Sequence, residues 1–208
     1  MSDCQRSTLS WQAGSCRRGE GLRRGSGREP GDADGDGHLS LHRRAGHRRQ
    51  ARGSLRSSIK AGTITYGDVI AVQPNDNNMC IIEVTGEELL NMLTKCTAKC
   101  PEADGSFPHV AGMKFTIHTG SHKVTDVMIQ DKGADTYSPL DMNGKYTMAV
   151  ADYYKNGGYY RTLQNCKLIS LTQILSRDAL NDYLEKTLGG VVPDRYKDVE
   201  GRITILSD

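Results

Sequence analysis

Acidic residues with metal-ligand spacing occur near the N-terminus. The run from Asp32 to Ser40 matches the first nine positions of a calcium-binding EF-hand loop, with carboxylates at alternate positions. The twelfth position of such a loop must supply a bidentate glutamate, and Arg43 stands there. No amphipathic helix is predicted on either side of the run. The pattern therefore favours a solvated acidic stretch over a calcium site.

The cysteines are a second group that could carry chemistry. Cys96 and Cys100 are four residues apart, so on a helix they would share one face. No Cys or His pair at zinc-ligand spacing accompanies them, and Cys80 and Cys166 are isolated in the sequence. We therefore predict thiols rather than a metal site or disulfides, with Cys80 and Cys96 in the core.

Paired arginines indicate an alternative function of another class. The pairs are separated by glycine and serine, as in tails that bind nucleic acid through phosphate charge: Arg17-Arg18, Arg23-Arg24, Arg43-Arg44 and Arg48-Arg49. Aspartates at 32, 34 and 36 interrupt this positive charge, and no aromatic residues lie between the pairs to stack on bases. Nucleic acid is therefore kept only as the alternative partner.

Composition divides the chain into two parts. Residues 1–53 contain 11 Arg, no Lys and 10 Gly, and they lack Ile, Val, Phe and Tyr, whereas residues 54–208 contain 11 Ile, 10 Val and all nine Tyr. A segment this poor in apolar side chains cannot offset its chain entropy by burial. We predict that residues 1–53 are disordered and that residues 54–208 form one domain. The abrupt change in arginine usage also suggests a shifted reading frame or a misplaced start.

The second part shows an irregular succession of strand and helix patterns. Strand patterns cover residues 63–65, 79–84, 109–118, 123–129, 146–151 and 203–206. Helix patterns cover 66–72, 87 to about 100, and 176–188, where Ser176 is the predicted N-cap. Because strands and helices do not alternate regularly, we predict an α+β fold, a mixed sheet with packed helices. No run of 18 apolar residues occurs, which excludes a membrane-spanning helix.

Several motifs of the second part occur in the order found in one protein family. They are Gly53 to Ile59, Gly62 to Val69, Val84 to Leu90, Phe107 to Lys114, Tyr137 to Leu140, Asp152 to Gly158 and Glu200 to Ile203. Together they resemble the C-terminal domain of 5′-nucleotidases over about three quarters of the chain. The resemblance implies a nucleotide-recognition domain that follows a two-metal phosphoesterase domain, in a family typically periplasmic, secreted or surface-anchored.

The resemblance also implies roles for particular residues. Arg56 occupies the place of an arginine near the bound phosphate, and a guanidinium fork suits phosphate oxygens. Tyr153 aligns with an aromatic residue that stacks on the base. The turn Asn156-Gly157-Gly158 lies at the lip of the implied site. Three purely structural alternatives stay open. Arg56 could be an ordinary solvated arginine, Tyr153 could only pack against a strand end, and the turn could be selected only for positive φ.

Three family contacts are replaced in this chain. Asn75 stands after Pro74, where the family has the second base-stacking aromatic residue. Tyr159 stands where the family has an aspartate that binds the ribose hydroxyls, and an asparagine expected near Ala51 is missing. Tyr159 and Tyr160 offer an alternative stacking surface. We therefore expect weak binding of a nucleotide or nucleoside.

The catalytic half of the family is not recognised in this chain. Its two divalent metals activate water and clamp the transferred phosphate, and their ligands belong to the N-terminal domain. Asp36-Gly37-His38 resembles one metal-binding fragment, but its companion motifs are absent. The sequence thus favours a truncated hydrolase-family protein that needs a separate metallophosphoesterase domain for hydrolysis and has no cofactor of its own. An inert remnant is the competing interpretation.

Overall fold

The computed structural model describes residues 5–6, 47–51, 55–57, 59, 62–131, 134–197 and 200–208. Four α-helices occur in these ranges: α1 (Tyr66–Val72), α2 (Gly86–Thr97), α3 (Asp152–Lys155) and α4 (Ser176–Asp182). The strands are β1 (Gln5–Arg6), β2 (His47–Ala51), β3 (Asn78–Thr85), β4 (Pro108–Ala111), β5 (Met113–His118), β6 (Lys123–Gln130), β7 (Tyr137–Pro139), β8 (Lys145–Ala151), β9 (Lys167–Leu175), β10 (Val191–Val192) and β11 (Ile203–Leu206).

The strands form two principal mixed sheets. One has the order β4-β2-β8-β3-β9 and the other β11-β5-β6-β7, while β1 pairs with β10. Parallel pairing occurs between β2 and β8 and between β11 and β5, and the β3–β8 pairing is antiparallel. The predicted α+β class with a mixed sheet and packed helices is confirmed.

The five-stranded sheet is covered on both faces. Successive side chains along β3 point to opposite faces of the sheet, and apolar ones occur on each. Cys80, Ile82 and Val84 face the main core, which includes the buried face of α2 and the inner residues of β5 and β6. Met79 and Ile81 face the opposite way and contact Ala179 of α4. A further apolar cluster joins α1 to α4 and the segment that follows it.

Two helices begin with the same N-terminal capping motif. Thr65 accepts a hydrogen bond from the backbone N–H of Asp68, and the Asp68 carboxylate accepts one from the backbone N–H of Thr65. Thr85 and Glu88 form the same reciprocal pair at the start of α2. Such capping boxes satisfy N–H groups that lack partners within the helix. They fix where α1 and α2 begin.

The observed elements differ from the predicted ones in several places. The predicted strand 109–118 is two strands, because Gly112 adopts a φ of 73° between β4 and β5. Ser176 is wrong as an N-cap, since β9 runs directly into α4 and Ser176 is its first helical residue. The predicted helix to Leu188 continues beyond Asp182 as a π-helical segment, Tyr183–Thr187. Strand β9 is not predicted from the pattern.

The first sheet begins before the predicted domain boundary. Strand β2 lies within residues 1–53, and it pairs with both β4 and β8. Apart from β1 and β2, the predicted disordered segment lies outside the described residues, as do the EF-hand-like run and the Asp36-Gly37-His38 fragment. The division at residue 53 stays a prediction.

Candidate functional site

A pair of half-exposed tyrosines lies where β8 ends. The strand leads directly into α3, which carries Tyr153 and Tyr154. Tyr153 is 45% exposed and Tyr159 is 47% exposed, and their rings meet edge to face with centroids 6.0 Å apart. Tyr154 is buried beneath them, 5.4 Å from the Tyr153 ring. The arrangement therefore presents an aromatic surface to solvent on a rigid, buried support.

The turn after α3 positions this surface through its two glycines. Gly157 adopts a φ of 99°, which favours glycine. Gly158 has no such φ but packs against the Tyr153 ring, where an added Cβ would lie 2.7 Å from Cδ1 and Cζ. The N–H of Gly158 donates to the carbonyl of Tyr153 at 2.9 Å. Positive φ and close ring contact thus occur at different glycines of the same turn.

Asn156 and Asn75 lie on two different segments. Asn156 ends α3, donating its N–H to the Asp152 carbonyl at 2.8 Å and accepting a bond from the Gln164 side chain at 3.2 Å. Asn75 is exposed in the loop between α1 and β3. Because β3 begins where antiparallel β8 ends, with Met79 opposite Ala151, this loop and α3 emerge at the same end of these two strands.

The loop that carries Asn75 is held by the start of α4. Arg177 forms an ion pair with Asp76, and the N–H of Ser176 donates to the carbonyl of Asn77 at 2.9 Å. Asp178 accepts a 2.5 Å hydrogen bond from the Tyr66 hydroxyl, and this bond raises the pKa of Tyr66. The position that corresponds to the family's second aromatic residue therefore lies on an anchored loop.

Arg56 is placed beside the end of α1. Its N–H donates to the carbonyl of Val72 at 2.9 Å, and the preceding Leu55 is buried. The Arg56 side chain is exposed and has no ion-pair or hydrogen-bond partner within the part of the chain that the structure describes. The helix end thus fixes the Arg56 backbone near the loop of Asn75, and its charge is available to a ligand.

A cavity of about 590 Å³ lies beside the tyrosine turn, and both Gly158 and Tyr159 belong to its lining. Its lining combines part of α2 with the segment after Asn156: Lys95, Cys96, Gly158, Tyr159, Tyr160, Arg161 and Thr162. Sequence reasoning missed Lys95 and Arg161, because they are far apart along the chain and belong to no shared motif. Only the packing of α2 against the Arg161–Leu163 turn brings them to one cavity.

The cysteines within the described ranges are all buried thiols, at positions 80, 96, 100 and 166, as predicted. Burial raises the pKa of Cys80 and that of Cys166 to about 11. A thiol with such a pKa is almost entirely protonated at neutral pH, so neither thiol is suited to nucleophilic chemistry. Among the residues described, no group of three His, Cys, Asp or Glu side chains could hold a metal ion.

Comparisons with known proteins identify the family of this chain. A sequence model for the family described as "5′-nucleotidase, C-terminal domain" matches residues 49–164. A 5′-nucleotidase of Vibrio parahaemolyticus is 34% identical over 134 residues, which are 64% of this chain and 22% of that protein. Protein UshA of Escherichia coli is 30% identical over 136 residues, 65% of this chain and 23% of that protein.

Solved structures are similar over a larger part of the chain. The 5′-nucleotidase precursor of Thermus thermophilus matches with a TM-score of 0.78 and 26% identity, covering 94% of this chain and 37% of that one. The NAD nucleotidase of Haemophilus influenzae shares the fold, with a TM-score of 0.76 at 16% identity, covering 98% of this chain and 38% of that one.

The family match covers more than half of the chain, and the described fold is that of its structural relatives. The chain therefore belongs to the 5′-nucleotidase family and contains its C-terminal domain. It spans less than a quarter of the length of the two curated relatives named above. None of the helices in the described ranges is long and apolar enough to cross a membrane.

Substituting Gly158 tests how the turn orients Tyr153. In Gly158→Ala the new Cβ would overlap the Tyr153 ring, so the ring must rotate away from its present position. We expect altered near-ultraviolet circular dichroism, altered ring-proton shifts of Tyr153, and weaker binding of any ligand that stacks there. The matched control is Gly67→Ala, whose Cβ would make an ordinary 3.4 Å contact with Thr65. Unchanged Tyr153 signals in Gly158→Ala would contradict the positioning role of this turn.

Proposed function

We propose that this domain recognises a nucleotide or nucleoside, whose base stacks on Tyr153 and whose phosphate side points towards Arg56. The observation that carries the proposal is the half-exposed Tyr153–Tyr159 pair on a buried support. The exposed rings offer flat apolar faces, and every nucleobase has a face that can stack on them. The turn Asn156–Gly158 forms the lip of this site, and Asn75 lies on the loop at the same end of β3 and β8.

The proposed binding is weak. Base stacking contributes ~1–3 kcal/mol, and a charge-assisted hydrogen bond from Arg56 contributes about 1.5–3 kcal/mol. These contributions must exceed an association cost of at least ~4 kcal/mol. Asn75 and Tyr159 replace two contacts that the family resemblance implies. We therefore expect a dissociation constant near ~1 mM or higher, equivalent to about 4 kcal/mol or less.

The proposal assigns recognition, not hydrolysis, to this domain. Two-metal hydrolysis needs several carboxylate, imidazole or amide ligands around a pair of ions. The described residues gather no such set, and the relatives contain a large additional portion that this chain does not match. We propose that the metal-dependent step requires that other portion and that nucleotide binding here needs no metal.

Titration of the full chain with adenosine and AMP, followed by NMR, tests the recognition. We expect both ligands to shift the signals of Tyr153 and Gly158, and chelation with EDTA to leave the affinity unchanged. Tyr153→Ala should weaken binding at least about 5-fold, because a stacked base is worth ~1–3 kcal/mol. Tyr137→Ala is the matched control, since Tyr137 lies in β7 of the other sheet.

Two results would contradict the proposal. One is an adenosine titration that shifts no signal of the tyrosine pair, and the other is equal affinity of Tyr153→Ala and the unmodified chain. Hydrolysis is measured separately, with AMP and added divalent metal. Turnover that survives repurification and is lost on His38→Ala would disprove the division between recognition and hydrolysis.

A further inference from the structure

The cavity between α2 and the Arg161–Leu163 turn is lined by basic and hydroxyl-bearing residues. Its lining includes two exposed basic residues, Lys95 and Arg161, and the hydroxyl-bearing residues Tyr159 and Thr162. No carboxylate belongs to this lining among the residues described. Its volume is about 590 Å³, and it is partly open to solvent.

The two cations of this cavity lack the ion-pair or hydrogen-bond partners that neighbouring lysines have. Lys99, one turn further along, forms a 2.6 Å ion pair with Asp104. Lys155 donates to the carbonyl of Gln164 at 2.5 Å. By contrast, Lys95 and Arg161 form no ion pair within the described part of the chain. Two uncompensated positive charges beside one concavity produce a positive potential that attracts anions.

Both cations are carried by buried backbone supports. Lys95 precedes Cys96, which is buried in the main core, and so the last turn of α2 is fixed against the sheet. Arg161 begins a 3-10 turn whose third residue, Leu163, is fully buried. A ligand would therefore order two side chains but no backbone, which limits the entropic cost of binding.

We infer that this cavity, the Lys95–Arg161 pocket, binds a phosphate group. The arginine offers a planar fork for two phosphate oxygens and the lysine a point charge, while hydroxyl groups can donate to the remaining oxygens. The phosphate is either free inorganic phosphate or the phosphoryl group of a nucleotide. This site is separate from Arg56, and the inference does not rest on the proposed stacking of a base on Tyr153.

NMR titration of the full chain with inorganic phosphate, adenosine and AMP tests the pocket. The backbone amides of Lys95 and Thr162 are the reporters, because both residues line the pocket and neither belongs to the Tyr153–Tyr159 pair. We expect phosphate to shift both amides, and added sodium chloride to reduce the apparent affinity. In the double variant Lys95→Gln/Arg161→Gln, phosphate affinity should fall at least ~10-fold, as expected for lost charge-assisted hydrogen bonds. Lys123→Gln, an exposed lysine on β6, is the matched control.

The titrations also distinguish the two sources of phosphate. If the pocket takes the phosphoryl group of a nucleotide, AMP affinity falls together with phosphate affinity in the double variant. If it takes free phosphate, only phosphate affinity falls. The inference is overturned if phosphate and AMP leave the Lys95 and Thr162 amides unshifted, or if the double variant binds phosphate as the unmodified chain does. Adenosine binding and its loss in Tyr153→Ala report on the stacking site alone, so the two proposals fail independently.

Discussion

Replacing Arg202 by alanine should lower the free energy of unfolding by about 3 kcal/mol. The Arg202 side chain is 8% exposed, it donates to the Val110 carbonyl at 2.9 Å, and it forms an ion pair with Glu200. Val110 belongs to β4 of one sheet, while Arg202 immediately precedes β11 of the other. Its loss therefore leaves a buried carbonyl and a carboxylate without their cation and removes a bond between the sheets.

Thermal and denaturant unfolding measure this effect. A loss of about 3 kcal/mol corresponds to a drop in Tm on the order of 10 °C for a chain of this size. Arg202→Met separates charge from packing, because it keeps an apolar stem without donors, and most of the loss should persist. Lys123→Ala, an exposed position, should change stability by less than about 0.5 kcal/mol. A change below about 1 kcal/mol in Arg202→Ala would show that this arginine does not hold the sheets together.

Local sequence signals predicted the capped helices and strand β3. Both capping boxes are visible as Thr-x-x-Asp and Thr-x-x-Glu before an apolar helical pattern, at Thr65 and Thr85. The central strand β3 is an apolar run because both of its faces are covered. The capping boxes act within a few residues, whereas β3 depends on pairing with the distant β8 and β9, but its burial on both faces leaves a continuous apolar run that marks it in the sequence.

The elements that were not predicted depend on partners far along the chain. Strand β9 lies at the edge of its sheet, and its pairing with β3 shifts register between Asn78 and Cys80 and again between Ile81 and Ile82. Its side chains are largely exposed on both faces, so no alternation of apolar and polar residues marks it. Strand β2 consists of His, Arg, Gln and Ala, and only its pairing with β4 and β8 identifies it as a strand.

The candidate site divides in the same way. Tyr153, the turn after α3 and the position of Asn75 were identified through motifs, because each lies within a short segment that carries the resemblance. Two contacts could not be predicted from motifs, because they depend on how the turn folds back. They are the edge contact between Tyr153 and Tyr159 and the close approach of Gly158 to the Tyr153 ring. The Lys95–Arg161 pocket depends wholly on helix packing, which no spacing rule for a single sequence contains.

Restoring the two family residues at once should give the largest gain in nucleoside affinity. In Asn75→Phe/Tyr159→Asp, a second aromatic ring would stack on the base and a carboxylate would bind the ribose hydroxyls. The loop of Asn75 is already anchored by the ion pair between Asp76 and Arg177, so the new ring would lose little backbone entropy on binding. Stacking alone contributes ~1–3 kcal/mol, and we expect affinity for adenosine to rise at least about 10-fold.

Adenosine is the appropriate ligand for this test, because it has no phosphate and does not report on the Lys95–Arg161 pocket. The single variants separate the two contributions: Asn75→Phe should strengthen stacking, and Tyr159→Asp should strengthen ribose binding while removing the edge contact with Tyr153. The same Tyr159→Asp change should weaken binding of inorganic phosphate, since it adds a negative charge to the lining of the pocket. If the double variant binds adenosine no more tightly than the unmodified chain, and Tyr153→Ala has no effect either, the base does not stack on Tyr153.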